Sequence, residues 1–459
     1  MRALHSSFRS TCQALGLALG LALTASAQAP APSSAPSSAP SSAPSPTPAQ
    51  SRPKPPEVAA RQYILVDLSS QQVLAESGAD QPAETASLTK LMTAYLVFNA
   101  LRDKKLTLEQ TLPVSDRAWN ERGQGGPSSK PGKAGGAAGP GKTAKTGKGA
   151  KADKAAKPGR GGKAPSPAPS GASLMFIDTT MKPRVDELLR GLIVQSGNDA
   201  AVALAEGVAG SVEAFVAAMN QQAQAWGLKN THYLNVTGLT EAGQHSSARD
   251  VAFVAGRIIA EHPTLFPIYS LKSYTYNGIK QDNRNRLLGR DPSVDGMKTG
   301  RTDAAGWCLV ATAQRDSAGN KRRLLSVVLG AASDEARAAE SHKLLEWGYS
   351  AWETVRLVEP RQALATVPLW KGTVREARLG VAEALVVTVP RGESARLQPV
   401  LTRTDPLLAP LAAGQAVGTV KVNFAGGATV ASVPLVALDA VPQAGWFGRT
   451  WDSVRLSLR

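Results

Sequence analysis

Residues 88–101 are apolar on nearly every face, with Leu88, Leu91, Met92, Tyr95, Leu96 and Phe98 spread around the turn. A helix of this kind has no side for solvent, so it must lie inside a domain with other elements wrapped around it. The rest of the fold is therefore constrained to a layered body built on that helix. Lys90 stands near its start, three residues after Ser87. A charged side chain in such surroundings needs a reason.

The remainder of the chain supplies the layers. Its 459 residues allow two to three domains, and 42% apolar residues are enough for real cores. Residues 62–68 and 72–75 are β-prone runs around a polar turn and predict a hairpin. Helices are expected over residues 185–194, 200–209 and 212–226, the last capped by Gly227, and over 248–260. Strands follow at 274–279, 306–312 and 324–330, the last two forming an antiparallel hairpin, with a closing helix over 335–354. Hairpin, helices, then more strands predicts an α+β domain, an antiparallel sheet with helices packed on it, over residues 59–355. From 356 to 441 short Val-rich runs separated by Gly and Pro predict a small all-β domain.

Three segments stand apart from these cores. Residues 1–27 read as an export signal, with Arg2 and Arg9, a ten-residue apolar run and the small residues Ala25-Ser26-Ala27. Residues 28–58 form a Pro/Ser/Ala-rich tail with nothing to bury. Residues 123–171 are Gly, Pro, Ala, Ser and Lys, and are expected to be a disordered insertion in the first domain. The net charge of +16 is concentrated there: residues 130–163 hold ten Lys or Arg and one Asp, or +9. The basicity is thus local, and no nucleic-acid partner is expected. The tract also contains a phosphate-loop look-alike at residues 136–143, which lacks the strand and helix that would aim its amides. Cys12 would leave with the signal, and Cys308, alone in an apolar run, reads as core filler.

Three short motifs carry chemistry. In Ser87-Leu88-Thr89-Lys90, residues three apart share a helix face, so the amine reaches the hydroxyl. A serine becomes a nucleophile when a base takes its proton, and lysine serves only if its ammonium form is disfavoured. In Ser196-Gly197-Asn198, a hydroxyl and an amide in a turn point into one cleft, Ser196 to relay a proton and Asn198 to hold Lys90. In Lys298-Thr299-Gly300, on an edge strand, a cation and a hydroxyl face a substrate carboxylate. Gly300 lets an extended peptide approach, and Arg301 follows. A second Lys-Thr-Gly at Lys145 lies in the basic tract, with no strand to carry it.

In this order and these settings the motifs resemble the low-molecular-mass D-alanyl-D-alanine carboxypeptidases. The segments at residues 86–93, 193–200, 227–232 and 294–300 carry the likeness, which covers roughly residues 62–441 apart from the basic tract. The resemblance implies a penicillin-recognising transpeptidase/β-lactamase-like domain followed by a β-rich one. It implies Ser87 as acyl-ester nucleophile, Lys90 as its proton acceptor, and Ser196 and Asn198 as the rest of the proton network. Lys298 and Thr299 would bind the terminal carboxylate, and the amides of Ser87 and Arg301 would form the oxyanion hole. The family commonly has His where Arg301 stands. No metal or organic cofactor is expected. The expected partners are peptidoglycan stem peptides ending in D-Ala-D-Ala, with β-lactams as covalent inhibitors. Residues 442–459 place Phe447, Trp451, Val454 and Leu458 on one helical face beside Arg449, Arg455 and Arg459, a pattern suited to a membrane surface. The expected location is periplasmic, peripheral on the outer face of the inner membrane. A DD-endopeptidase, a β-lactamase and a non-catalytic wall-binding protein stay open as alternatives.

Overall fold

Strand alternation builds the centre of the molecule. β1 (Gln62–Asp67) and β2 (Gln72–Ser77) form the expected hairpin. In β1, Ile64 faces one core while Tyr63 and Leu65 face another, as the two-residue period of a strand requires. The computed structural model describes residues 52–121, 173–317, 320–425 and 427–458. The expected signal, Cys12, the tail up to residue 51, the basic tract with its phosphate-loop look-alike and the Lys145 motif lie outside them. Residues 52–58 of the expected tail are described, and Lys343 Nζ donates to Glu57 O at 2.9 Å, so the folded body begins before residue 59.

After the hairpin, a 3₁₀ turn over Ala86–Thr89 runs straight into α1 (Lys90–Arg102). The expected helix therefore opens as a tighter turn, with Ser87 in the 3₁₀ part. α2 (Asp116–Asn120) precedes the undescribed tract, and α3 (Val185–Ile193), α4 (Asn198–Ala209), α5 (Val212–Ala225) and α6 (Ala248–Glu261) follow it. Gly227 takes the left-handed φ of +68° just beyond the C-cap of α5. The run expected as one strand over 274–279 is instead a tight hairpin of β3 (Ser273–Tyr276) and β4 (Ile279–Asp282). Asn277 and Gly278 both have positive φ and make the turn, which is the Asn-Gly signal of a type I′ connection. α7 (Leu287–Arg290) leads into β5 (Val294–Thr302), β6 (Gly306–Ser317) and β7 (Asn320–Ala331), and α8 (Asp334–Ala351) closes the domain.

The main sheet has the order β2-β1-β7-β6-β5 and is antiparallel throughout, leaving β5 at an edge. One face carries the helical body, with Leu91, Met92, Phe98, Leu188 and Phe215 packed on Ile64, Met297, Val310 and Val327. The other face carries α8, with Leu344 and Leu345 packed on Leu65, Leu309 and Val328. α1 is thus enclosed on all sides, as its composition demands. Cys308 is fully buried in the sheet.

The second domain starts earlier than expected. β8 (Trp352–Val358) begins directly after α8 and pairs with β11 (Leu385–Pro390), so the boundary placed at residue 355 cuts through a strand and belongs at 351/352. The last residues of the expected closing helix are already extended, because Trp352 must turn into the core beneath α8. β9 (Ala363–Trp370) and β10 (Glu376–Gly380) join β12 (Leu397–Arg403), β13 (Leu407–Leu408), β14 (Ala416–Phe424) and β15 (Thr429–Ala437) in a six-stranded sheet of order β12-β14-β15-β10-β9-β13.

A buried carboxylate locks the two sheets together. Asp67 Oδ2 accepts from Arg322 Nε at 2.8 Å, Thr354 Oγ1 at 2.7 Å and Thr388 Oγ1 at 2.9 Å, joining β1, β7, β8 and β11. Removing one partner of such a buried pair typically costs about 3–5 kcal/mol. The chain ends in α9 (Trp446–Ser457). Its Asp452 accepts from Lys371 N at 2.6 Å and its Arg455 lies 5.4 Å over the Trp370 ring, leaving Trp446, Phe447, Trp451, Val454 and Leu458 exposed. Among the described residues no single helix is long and apolar enough to cross a membrane.

Candidate active site

The turn that carries Ser87 is held in a conformation its residues do not choose alone. Ala86 has φ +47°, in the left-handed region that costs a non-glycine residue energy. Two glycines press on it. A Cβ on Gly238 would lie 1.9 Å from Ala86 O, and one on Gly300 would lie 2.9 Å from Thr85 O and 3.2 Å from Ser87 N. Only hydrogen at both positions lets the loop around residue 238 and strand β5 close on the turn. In a 3₁₀ turn residues three apart eclipse, so Ser87 and Lys90 stand one above the other.

Lys90 is 1% exposed and its Nζ lies 3.0 Å from Ser87 Oγ, 2.8 Å from Asn198 Oδ1 and 2.7 Å from Thr237 O. Ser87 itself is partly open to solvent. From the turn between α3 and α4, Ser196, also at a left-handed φ of +60°, accepts a hydrogen bond from Lys298 Nζ at 2.8 Å. Lys298 is 2% exposed and also donates to Thr299 O at 2.8 Å. All three motifs therefore converge: Ser87, Lys90, Ser196, Asn198 and Lys298 form one cluster, and Thr299 and Gly300 continue along β5 beside it. Arg301 departs from it. Its side chain is exposed, bonded to Asp303 Oδ1 at 2.8 Å and lying 5.3 Å over Trp307, so only its backbone remains at the cleft.

Several residues of the site lie outside the three motifs as read. Asp199, fully buried, accepts from the amides of Met175 at 2.8 Å, Phe176 at 2.9 Å, Ile177 at 3.2 Å and Ala200 at 2.9 Å. It thereby pins the strand of chain leaving the basic tract to the start of α4, where Asn198 N also donates to Ser173 O at 2.7 Å. Its position next to Asn198 was a usable signal. Arg337 on α8 donates to Gly300 O at 2.9 Å and to Cys308 O at 3.3 Å, steadying the end of β5. Nothing local in the sequence marks Gly238, Thr237 or Arg337, because each acts through a contact distant along the chain.

The electrostatics favour a neutral amine. Burial is the main cause that brings the Lys90 pKa from its ordinary 10.5 to about 7; Glu121 and Asp199 oppose the shift and Arg284 adds to it. Burial likewise holds Lys298 well below its ordinary value, helped by the positive charges of Lys90, Arg284 and Arg337. The largest single charge acting on Lys90 is Glu121, at the C-cap of α2, whose Oε2 is buried without a hydrogen-bond partner among the described residues. Among the described residues the one group of His, Asp and Glu side chains close enough to share a cation lies away from this cluster. It consists of Asp291, His342 and Glu346, and the Arg315 guanidinium already bonds both carboxylates. A cavity of about 500 Å³ lies at the far end of α1, lined by Phe98, Leu101 and Leu265, away from this chemistry.

Because a lowered lysine pKa leaves the amine free above it, any step in which Lys90 accepts a proton should rise with pH through about 7. Glu121→Gln removes an influence that raises that pKa. The rising limb of the acylation rate constant should therefore move to lower pH, read by stopped-flow with a chromogenic acylating substrate from pH 5 to 9. An unmoved limb contradicts this coupling.

Comparison with known proteins follows the same geometry. The family model described as D-alanyl-D-alanine carboxypeptidase matches residues 49–137 and 150–333, and that of the penicillin-binding protein 5 C-terminal domain matches residues 352–443. The D-alanyl-D-alanine carboxypeptidase DacC of Escherichia coli K12 is 39% identical over 410 residues, covering 89% of this chain and 90% of its own. DacA of the same organism is 37% identical over 406 residues, covering 88% and 89%. Penicillin binding protein 5 from Haemophilus influenzae superposes with a TM-score of 0.71 at 34% identity, over 85% of this chain and 99% of that one. A chain that carries this catalytic body and this C-terminal domain over nearly its whole folded length belongs to the D-alanyl-D-alanine carboxypeptidase family.

Proposed function

We propose that this enzyme removes the terminal D-alanine from peptidoglycan stem peptides through an acyl-ester on Ser87. The observation that carries this is the Lys90 amine, buried, 3.0 Å from Ser87 Oγ, with a pKa brought down by burial to about 7. Ser87 Oγ attacks the carbonyl carbon of the penultimate D-alanine and its proton passes to neutral Lys90. The amides of Ser87 and Arg301 receive the oxyanion. As the C–N bond breaks, the proton returns through the lysine–Ser196 network to the departing nitrogen, and D-alanine leaves. Water then attacks the ester, and Ser87 recovers its proton.

Lys298 and Thr299 suit the substrate's terminal carboxylate. Burial disfavours the Lys298 ammonium, and an incoming anion restores it, so binding is tied to charge at that end. β5, at the sheet edge, offers backbone for an extended peptide. A β-lactam presents a comparable carbonyl and would acylate the same serine. Free D-alanine released from a pentapeptide ending in D-Ala-D-Ala tests the reading. The wild-type chain should release it and Ser87→Ala should not, with loss of at least about a thousandfold. Release by both, or by neither when both are folded, would refute it.

The same reading places the protein in the periplasm, peripheral on the outer face of the inner membrane. α9 supports it: Asp452 and Arg455 dock one side while Trp446, Phe447, Trp451, Val454 and Leu458 stay exposed. Arg455 stays exposed beside the Trp370 ring, whereas Arg449 is half-buried and donates to Gln443 Oε1 at 3.2 Å, so Arg455 is the better placed headgroup contact. Full-length protein should sediment with phosphatidylglycerol vesicles, and Phe447→Ser/Trp451→Ser should stay in the supernatant. Equal sedimentation of both would remove α9 as the anchor.

A further inference from the structure

We infer that the joint between the main sheet and the β8–β11 sheet holds a phosphate-type oxoanion, gripped by Arg322, Lys321 and Arg356. A cavity of about 220 Å³ opens there, lined by Ser69, Ser317, Lys321, Arg322, Thr354 and Arg356, with Val386 as its apolar wall. That volume suits one phosphate group with the first atoms of an ester. It lies in the joint organised by Asp67, and none of its lining residues belongs to the Ser87 cluster.

Arg322 carries the argument. It is 2% exposed, its Nε is bonded to Asp67 and its Nη1 to Trp352 O at 2.9 Å. Its Nη2 is buried and has no hydrogen-bond partner among the described residues. A guanidinium offers donors in a rigid planar fork, and a buried donor left unmatched is costly, so one edge of this fork awaits an acceptor. Tyr349 lies 5.4 Å from the guanidinium carbon, but a ring over the face of the plane does not satisfy an N–H within it.

The other groups complete a grip. The Ser69 hydroxyl accepts from Arg323 N at 3.2 Å, which leaves its own proton to donate. Thr354 spends its proton on Asp67 and serves as wall. Lys321 and Arg356 stand exposed at the rim. The opposing charges are Asp67 on Arg322, Glu359 bonded to Arg356 at 3.0 Å, and Asp316 across the strand pair from Lys321. Among the described residues Lys321 makes no ion pair. With most of the positive charge balanced, the pocket suits a compact oxoanion held by several hydrogen bonds. A polyanion would be poorly matched.

Inorganic phosphate is the probe, titrated into the full chain at constant ionic strength with sodium chloride as the balance, with the melting temperature as readout. We expect a saturable rise in the wild type and at least about tenfold weaker binding in Lys321→Ala/Arg356→Ala. D-Alanine release by that variant should be unchanged. Arg322→Met would strand Asp67 and unfold the joint, so Val386→Glu, which puts a carboxylate in the cavity wall, is the second variant and should abolish the effect. The source of the phosphate is separable. If a lipid headgroup is bound, glycerol phosphate will compete and the rim variant will also lose affinity for phosphatidylglycerol vesicles. If free phosphate is bound, vesicle affinity will be unaffected. No saturable shift beyond chloride, or equal affinity in both variants, overturns the inference.

Discussion

A lysine amine enclosed in apolar surroundings, 3.0 Å from a serine hydroxyl, is the arrangement on which this structure turns. Left in water, Lys90 would be an ammonium and no base. Inside α1 it loses hydration and gains two acceptors, Asn198 Oδ1 and Thr237 O, with the Ser87 hydroxyl 3.0 Å away to face its lone pair. The acceptors fix the amine's direction and burial sets its proton affinity. The two effects need each other, because an unanchored lysine would snorkel towards solvent and recover its charge.

That requirement explains features of the fold that otherwise look extravagant. α1 is buried on all sides, and this keeps the Lys90 amine in its first turn out of water. The Ser87 turn takes a left-handed residue at Ala86, and two glycines, Gly238 and Gly300, come close enough to hold it there. Ser196 is likewise held at positive φ so that its hydroxyl meets Lys298. Strain at such positions persists only where the surroundings over-determine it. Here α3, α4, α6 and the edge strand supply the surroundings, and Asp199 ties residues 175–177 to them through three backbone amides.

Much of this was legible in the sequence, because the chemistry is concentrated in three short segments whose order is informative. The all-round apolar helix and the hairpins over residues 62–75 and 306–330 follow from residue patterning, whereas the edge strand with Lys298 was placed by its motif. What escaped reading is non-local. Gly238 matters for its distance to Ala86 O, and Glu121 for a charge felt across the site, and neither leaves a pattern in its own neighbourhood. The hairpin of β3 and β4 was readable from Asn277-Gly278 but was hidden in a continuous β-prone run. The domain boundary moved by a few residues because Trp352, packed in the core beneath α8, is already extended and opens β8.

The central claim is that burial lowers the Lys90 pKa to about 7, so that a large share of the amine is neutral near physiological pH. Its side chain can be observed directly by NMR of protein labelled with ¹³C at the lysine ε-carbon, titrated from pH 5 to 11, with the resonance assigned by its loss in Lys90→Arg. The account predicts one signal that titrates near 7, well apart from the exposed lysines near 10. A Lys90 signal that titrates with the exposed lysines would contradict it, and the proton from Ser87 would then need another acceptor.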